Sequence, residues 1–184
     1  MDAIKVDGNG HSARCSTWQE NDELFRSELE HGRLWQQRAA EFLQDHGIHT
    51  VIHEAAFRDQ YDDEGPYANG CDMRARGVRI EVKSRRQRYI SAASFPFPTI
   101  FVATERKMKI YERKGVMPDL FLYASVPTGY WVGLAGVLAS ECSETFSGFD
   151  KVRGIEEVWR TVPRSALLDQ QEIIGWILAS PRYR

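Results

Sequence analysis

Three residues in the stretch NGCDMRARGVRIEVKSR, positions 69–85, could do chemistry together: Asp72, Glu81 and Lys83. A two-residue turn at Arg76-Gly77, with Gly77 supplying a positive φ, folds this stretch into a hairpin. Residue 75 then pairs with 78, 74 with 79, 73 with 80, and 72 with 81. In that register Asp72 lies opposite Glu81, and Lys83 points to the same side two residues on. One face reads Gly70, Asp72, Arg74 against Arg79, Glu81, Lys83; the other reads Cys71, Met73, Ala75 against Val78, Ile80, Val82. A slip of one residue would destroy this separation, so the pattern supports its own register. Arg76 is its weak point, because such a turn prefers Asn, Asp or Gly there.

Two carboxylates about 5 Å apart across a sheet repel and destabilise it. Flanking Arg74 and Arg79 could offset that repulsion as a surface ion network. The alternative is a hard divalent cation, which needs converging oxygen ligands. Lys83 would then place a positive charge near an attacking water and a scissile phosphate.

The elements around the hairpin are those of a mixed α/β domain. Residues 21–46 have helical periodicity, with Asn21 or Asp22 to cap the helix and Gly47 to end it. A strand, HTVIHEAAF, and an acidic loop, RDQYDDEGPYANG, lead into the hairpin. Strands follow at PTIFVAT, DLFLYASV and GYWVGLAG, with a basic helix or turn, ERKMKIYERKG, after the first of these. Residues 140–154 read as a loop. SALLDQQEIIGWILAS has helical periodicity and fits a core-packing helix better than a dimer face. Residues 1–20 read as an N-terminal tail and 21–184 as one domain, long enough for a proper core.

The composition, 42% hydrophobic and 27% charged, is that of a soluble globular protein. No apolar run approaches the roughly 18–20 residues that span a membrane, and MDAIKVDGNGHSARCS has no apolar h-region. Cys15, Cys71 and Cys142 lack CxxC spacing and fit reduced thiols in a cytoplasmic compartment. His46, His49 and His53 have no partner acid at ligand spacing. The net charge of −2 conceals a strong asymmetry. Residues 73–116 hold 12 Lys and Arg against 3 Asp and Glu, whereas residues 1–72 hold 6 against 15. A basic segment of this kind suits a polyanion.

The pattern G-C-D-(x8)-E-V-K, on Asp72, Glu81 and Lys83, resembles that of the PD-(D/E)XK nuclease superfamily. The resemblance covers roughly residues 30–135, with an α-β-β-β-α-β order. It implies a restriction-endonuclease-like core: a central mixed sheet of four to five strands flanked by helices. It further implies hydrolysis of DNA phosphodiester bonds with Mg²⁺ or Mn²⁺. Asp72, Glu81 and the Val82 carbonyl would hold metal, and Lys83 would orient or activate water. Many members place an acidic or amide residue on the first helix; here Gln36, at the edge of that helix's buried face, is preferred to Glu41. Arg74, Arg79, Arg85, Arg86, Arg88, Lys107 and Lys109 would contact phosphates. Tyr89, Phe95 and Phe97 could stack on bases, although SFPFP reads better as a packed loop. A non-cutting nucleic-acid-binding protein of the same fold and an RNA-directed nuclease are the alternatives, and a homodimer stays open.

Overall fold

Helix α1 (Trp18–Gln44) ends where Gly47, at φ 71°, turns the chain, and Gly47 N donates to Gln44 O at 2.8 Å. This is the outcome expected of a glycine past a helix C-terminus. At the other end α1 starts at Trp18, so positions 21 and 22, expected at its N-cap, fall within the helix. The computed structural model describes residues 18–53, 71–150 and 155–180. The expected tail up to residue 17, the acidic loop and the far end of the first strand lie outside these residues.

After α1 come β1 (Thr50–Ile52), β2 (Met73–Ala75), β3 (Val78–Arg85), β4 (Thr99–Thr104) and α2 (Glu105–Lys114). They are followed by β5 (Leu120–Ser125), β6 (Trp131–Ala135), α3 (Gly136–Glu141), β7 (Glu144–Asp150), β8 (Ile155–Pro163) and α4 (Gln170–Ala179). The strands form a five-stranded sheet in the order β1-β2-β3-β5-β6 and a three-stranded sheet in the order β4-β8-β7. The larger sheet is mixed: β3 and β5 run parallel and its other pairs are antiparallel. Parallel neighbours need a crossover, and α2 lies on the one between β3 and β5.

Two readings of the chain change here. Residues 140–154, expected as a loop, contain β7, which pairs with β8 from Glu144↔Thr161 to Asp150↔Ile155. The helix expected over SALLDQQEIIGWILAS begins only at Gln170. Leu168 instead makes an isolated bridge to Gly133, and Asp169 and Glu172 form a capping box that starts α4.

Both faces of the larger sheet are covered. On one, Ile80, Leu120 and Leu122 pack with Trp35, Ala39 and Leu43 of α1 and with Ile173 and Ile177 of α4. On the other, Phe121, Tyr123 and Leu134 pack with Met108 and Tyr111 of α2, Ala139 of α3, and Ile100, Val102 and Val162 of the smaller sheet. Tyr89 and Phe95 are buried in this second core, so the SFPFP segment is packed at Phe95, while Phe97 is exposed beside it. Among the described residues no helix is long and apolar enough to cross a membrane.

At Gly136 the backbone of another segment comes close. A Cβ there would lie 1.9 Å from the Pro118 carbonyl oxygen, and Gly136 N donates to Asp119 O at 2.8 Å. The obstacle is backbone, which cannot rotate aside as a side chain can. Gly136→Ala is expected to lower unfolding free energy by about 3 kcal/mol, read from urea denaturation. A loss below about 1 kcal/mol would contradict the tight approach.

Candidate functional site

The hairpin register is the expected one at three rungs: Met73↔Ile80, Arg74↔Arg79 and Ala75↔Val78. Arg76 adopts φ 51° and Gly77 φ 87°, so the turn takes left-handed backbone at both positions despite the arginine. The fourth rung differs. Asp72 N donates to Ile80 O at 2.9 Å, and Asp72 Oδ2 accepts from Val82 N at 2.7 Å. The ladder stops at Met73, and the Asp72 carboxylate takes the N–H that a further rung would have used. Asp72 is therefore a neighbour of Glu81 through the edge of β3, not its direct cross-strand partner.

The direction of each β3 side chain follows from its pairing with β5. Glu81 matches Phe121 and Lys83 matches Tyr123, whereas Ile80 and Val82 match Leu120 and Leu122. Glu81 and Lys83 consequently lie on the α2 face and the apolar residues on the α1 face. The even-numbered residues of β3 direct their backbone groups toward β2, as Ile80 O and Val82 N show. Odd ones face β5, where Arg79 O accepts from Asp119 N. The Val82 carbonyl thus faces the same strand edge as Asp72.

Glu81 is 6% exposed. Its Oε1 accepts from Lys83 Nζ at 3.2 Å and from Lys107 Nζ at 2.6 Å. Lys107 sits in the first turn of α2, where its backbone N–H donates to Thr104 Oγ1 at 3.2 Å, and its ammonium also lies 5.3 Å from the Tyr111 ring centre. Burial alone would raise the Glu81 carboxyl, but Lys107 and then Lys83 outweigh it and hold it down at about 2. Asp72 is pushed up to about 6, first by burial and then by the Glu81 charge, against the pull of the Val82 N–H. Burial lowers Lys83. Lys107 is raised, because Glu81 and Tyr111 more than offset its desolvation. Two neighbouring carboxyls with affinities driven apart, beside a depressed lysine, form the kind of cluster associated with functional sites.

Gln36 is half-buried on α1, the helix whose core residues Trp35, Ala39 and Leu43 pack on the face of the sheet opposite Glu81 and Lys83. Arg74 and Arg79, the expected neutralisers, do not serve Glu81. Arg74 is exposed, while Arg79 binds Asp119 through Nε at 3.2 Å and Nη2 at 3.0 Å and also donates to the Gly115 carbonyl. Arg85 donates to the Phe101 carbonyl at 2.7 Å and lies 5.2 Å from the Tyr123 ring centre, which ties β3 to β4. These contacts give Arg79 and Arg85 partners within the fold. Arg86 and Arg88 are exposed, and Lys109 is exposed with an ion pair to Glu105 at 3.4 Å.

Lys107, expected among the phosphate contacts, is brought by α2 to the Glu81 carboxylate. One signal was present. A lysine in the first turn of a helix opposes the helix dipole, so it needs an anion nearby.

Among the described residues no three His, Cys, Asp or Glu side chains converge. The donor set is two carboxylates and a backbone carbonyl. Within the same residues Glu81 Oε2 and Asp72 Oδ1 carry no hydrogen bond, which leaves one oxygen of each for a cation. Hard oxygen donors, a costly meeting of carboxylates and a lysine ammonium already drawn to Glu81 fit a small divalent cation. Compared with protein-family models, curated proteins and solved structures, the chain finds no match in any of the three.

Proposed function

We propose that the protein is a metal-dependent nuclease that hydrolyses DNA phosphodiester bonds on a restriction-endonuclease-like core. The observation that carries this reading is the gathering of Asp72, Glu81 and Lys83 at one edge of β3, with the affinities of the two carboxyls driven apart. The repulsion between Asp72 and Glu81 is a cost that a purely structural strand has no reason to carry.

Asp72, Glu81 and the Val82 carbonyl would hold Mg²⁺ or Mn²⁺, which when bound supplies Lewis-acid polarisation of the phosphate and neutralises its charge. The chain's own groups position the reaction. The Val82 N–H fixes the Asp72 carboxylate. Lys83, on a central strand and 20% exposed, would orient the attacking water and offset the negative charge that grows on the phosphoryl oxygens. Exposed Arg86 and Arg88 just beyond β3 would supply salt-sensitive phosphate contacts. The α1 face of β3, packed on Trp35 and Leu43, keeps the strand from yielding to the repulsion.

One observation favours a binding protein that does not cut: Glu81 already has two lysine partners. Incubation with supercoiled plasmid, linear duplex and single-stranded DNA, with Mg²⁺, Mn²⁺ or EDTA, separates the two. The expected result is metal-dependent cleavage that Lys83→Met reduces on the order of 10²–10³-fold. Salt-sensitive binding without cleavage would replace the nuclease by the binding protein. Neither cleavage nor binding would overturn both.

A further inference from the structure

We propose that Lys107 is a built-in counterion that competes with the divalent cation for Glu81, so that metal loading requires this lysine to let go. The inference rests on the metal site proposed above and concerns how that site is regulated.

Two ammonium groups share a single oxygen, Glu81 Oε1, and the nearer is Lys107 at 2.6 Å, against 3.2 Å for Lys83. They differ in freedom to move. Lys83 projects from a strand paired along its length with β5, and 20% of its side chain is exposed. Lys107 reaches in from α2, with 45% of its side chain exposed. It could therefore swing into solvent on its four-carbon stem while the helix stays in place. The Thr104 cap and the Arg160 clamp on Glu105, at 2.6 Å from Nε, both hold the first turn of α2 independently of the Lys107 side chain.

The contact also has a reason to be there in the absence of metal. Glu81 is buried, and an ion there needs a partner. Lys107 stands at the positive end of a helix and needs an anion. A divalent cation brought to Glu81 and Asp72 meets the first need and repels Lys107. The second need then falls to whatever anion lies above the site, and a substrate phosphate is one. Cation and lysine are thereby alternatives on one carboxylate, and by linkage each weakens the other.

Titration calorimetry with Mn²⁺ on the full chain tests this, comparing wild type with Lys107→Met, Lys107→Gln and Lys109→Met. Either Lys107 variant is expected to bind Mn²⁺ about tenfold more tightly than wild type. Lys109→Met removes the same charge from an exposed position of the same helix and should change affinity by less than about twofold. The rise in melting temperature on adding Mn²⁺ should likewise be larger for the Lys107 variants, and Lys107→Gln serves if the methionine variant does not fold. Mn²⁺ binding that Lys107→Met and Lys107→Gln leave unchanged or weaken would overturn the competition while leaving the metal site standing. No Mn²⁺ binding by any of the proteins would overturn both.

Discussion

Asp72→Asn is expected to abolish cleavage and at the same time to make the protein more stable at neutral pH. The loss of cleavage, on the order of 10²–10⁴-fold, follows from removing a charged oxygen ligand and the orientation that the Val82 N–H gives it. The gain in stability follows from the sign of the carboxyl's shift. Asp72 goes from 3.8 to about 6 on folding, through burial first and the Glu81 charge second. The folded protein thus binds its proton more tightly than the unfolded chain. The stability tied to that proton is fully present below about pH 3.8 and is lost as pH rises through about 6. Asparagine keeps the acceptor for Val82 and never ionises, so it escapes this loss. The stabilisation should be about 1–2 kcal/mol at pH 7, and it should shrink toward zero near pH 4. Melting curves of both proteins across pH 3.5–7, with cleavage assayed in parallel, read both effects. A variant that is less stable at pH 7, or that still cuts within tenfold of wild type, would refute the assignment.

The parts of this fold legible in the sequence are those decided by near neighbours. The alternation of Met73, Ala75, Val78 and Ile80 with charged residues fixed the hairpin register at three rungs, because one face had to be apolar. Gly47 ended its helix for the same local reason, taking positive φ. What stayed hidden involves partners far along the chain. Asp119, forty residues from Arg79, holds its guanidinium. Arg85 belongs to a carbonyl of β4. Glu144–Asp150, expected as a loop, holds Ser147 and Gly148, which favour a strand little, whereas seven rungs to β8 secure it. Gly148 has a use there, since a Cβ would come within 2.9 Å of the Phe146 ring on the same strand. At the candidate site the same division holds. Asp72, Glu81 and Lys83 were legible because they lie on one hairpin. Lys107 was not, because only the crossover through α2 brings it over β3. A net positive segment in the sequence did not distinguish lysines that meet solvent from one that neutralises a carboxylate.

Glu81→Gln should remove cleavage as thoroughly as Asp72→Asn, with the opposite effect on stability. Glu81 is held at about 2 because Lys107 and Lys83 together overcome its burial. A carboxyl lowered on folding from 4.5 contributes stability above that pH and loses it as pH falls toward 2. Glutamine withdraws this contribution and leaves two ammonium groups facing each other without their anion. Breaking a buried ion pair from one side costs about 3 kcal/mol. Lys107 can turn outward to limit the damage, but Lys83 has no such route. Urea denaturation at pH 7 should show the loss, and the gap from wild type should close as pH is lowered. The Glu81→Gln, Lys107→Met double variant sharpens the expectation. Once the anion has gone, removing the second cation relieves repulsion, so the double variant should be more stable than the sum of the two single losses by about 1–2 kcal/mol. Strict additivity would mean that Glu81 and Lys107 do not act on each other, and the opposed effects expected at Asp72 and Glu81 would lose their common cause.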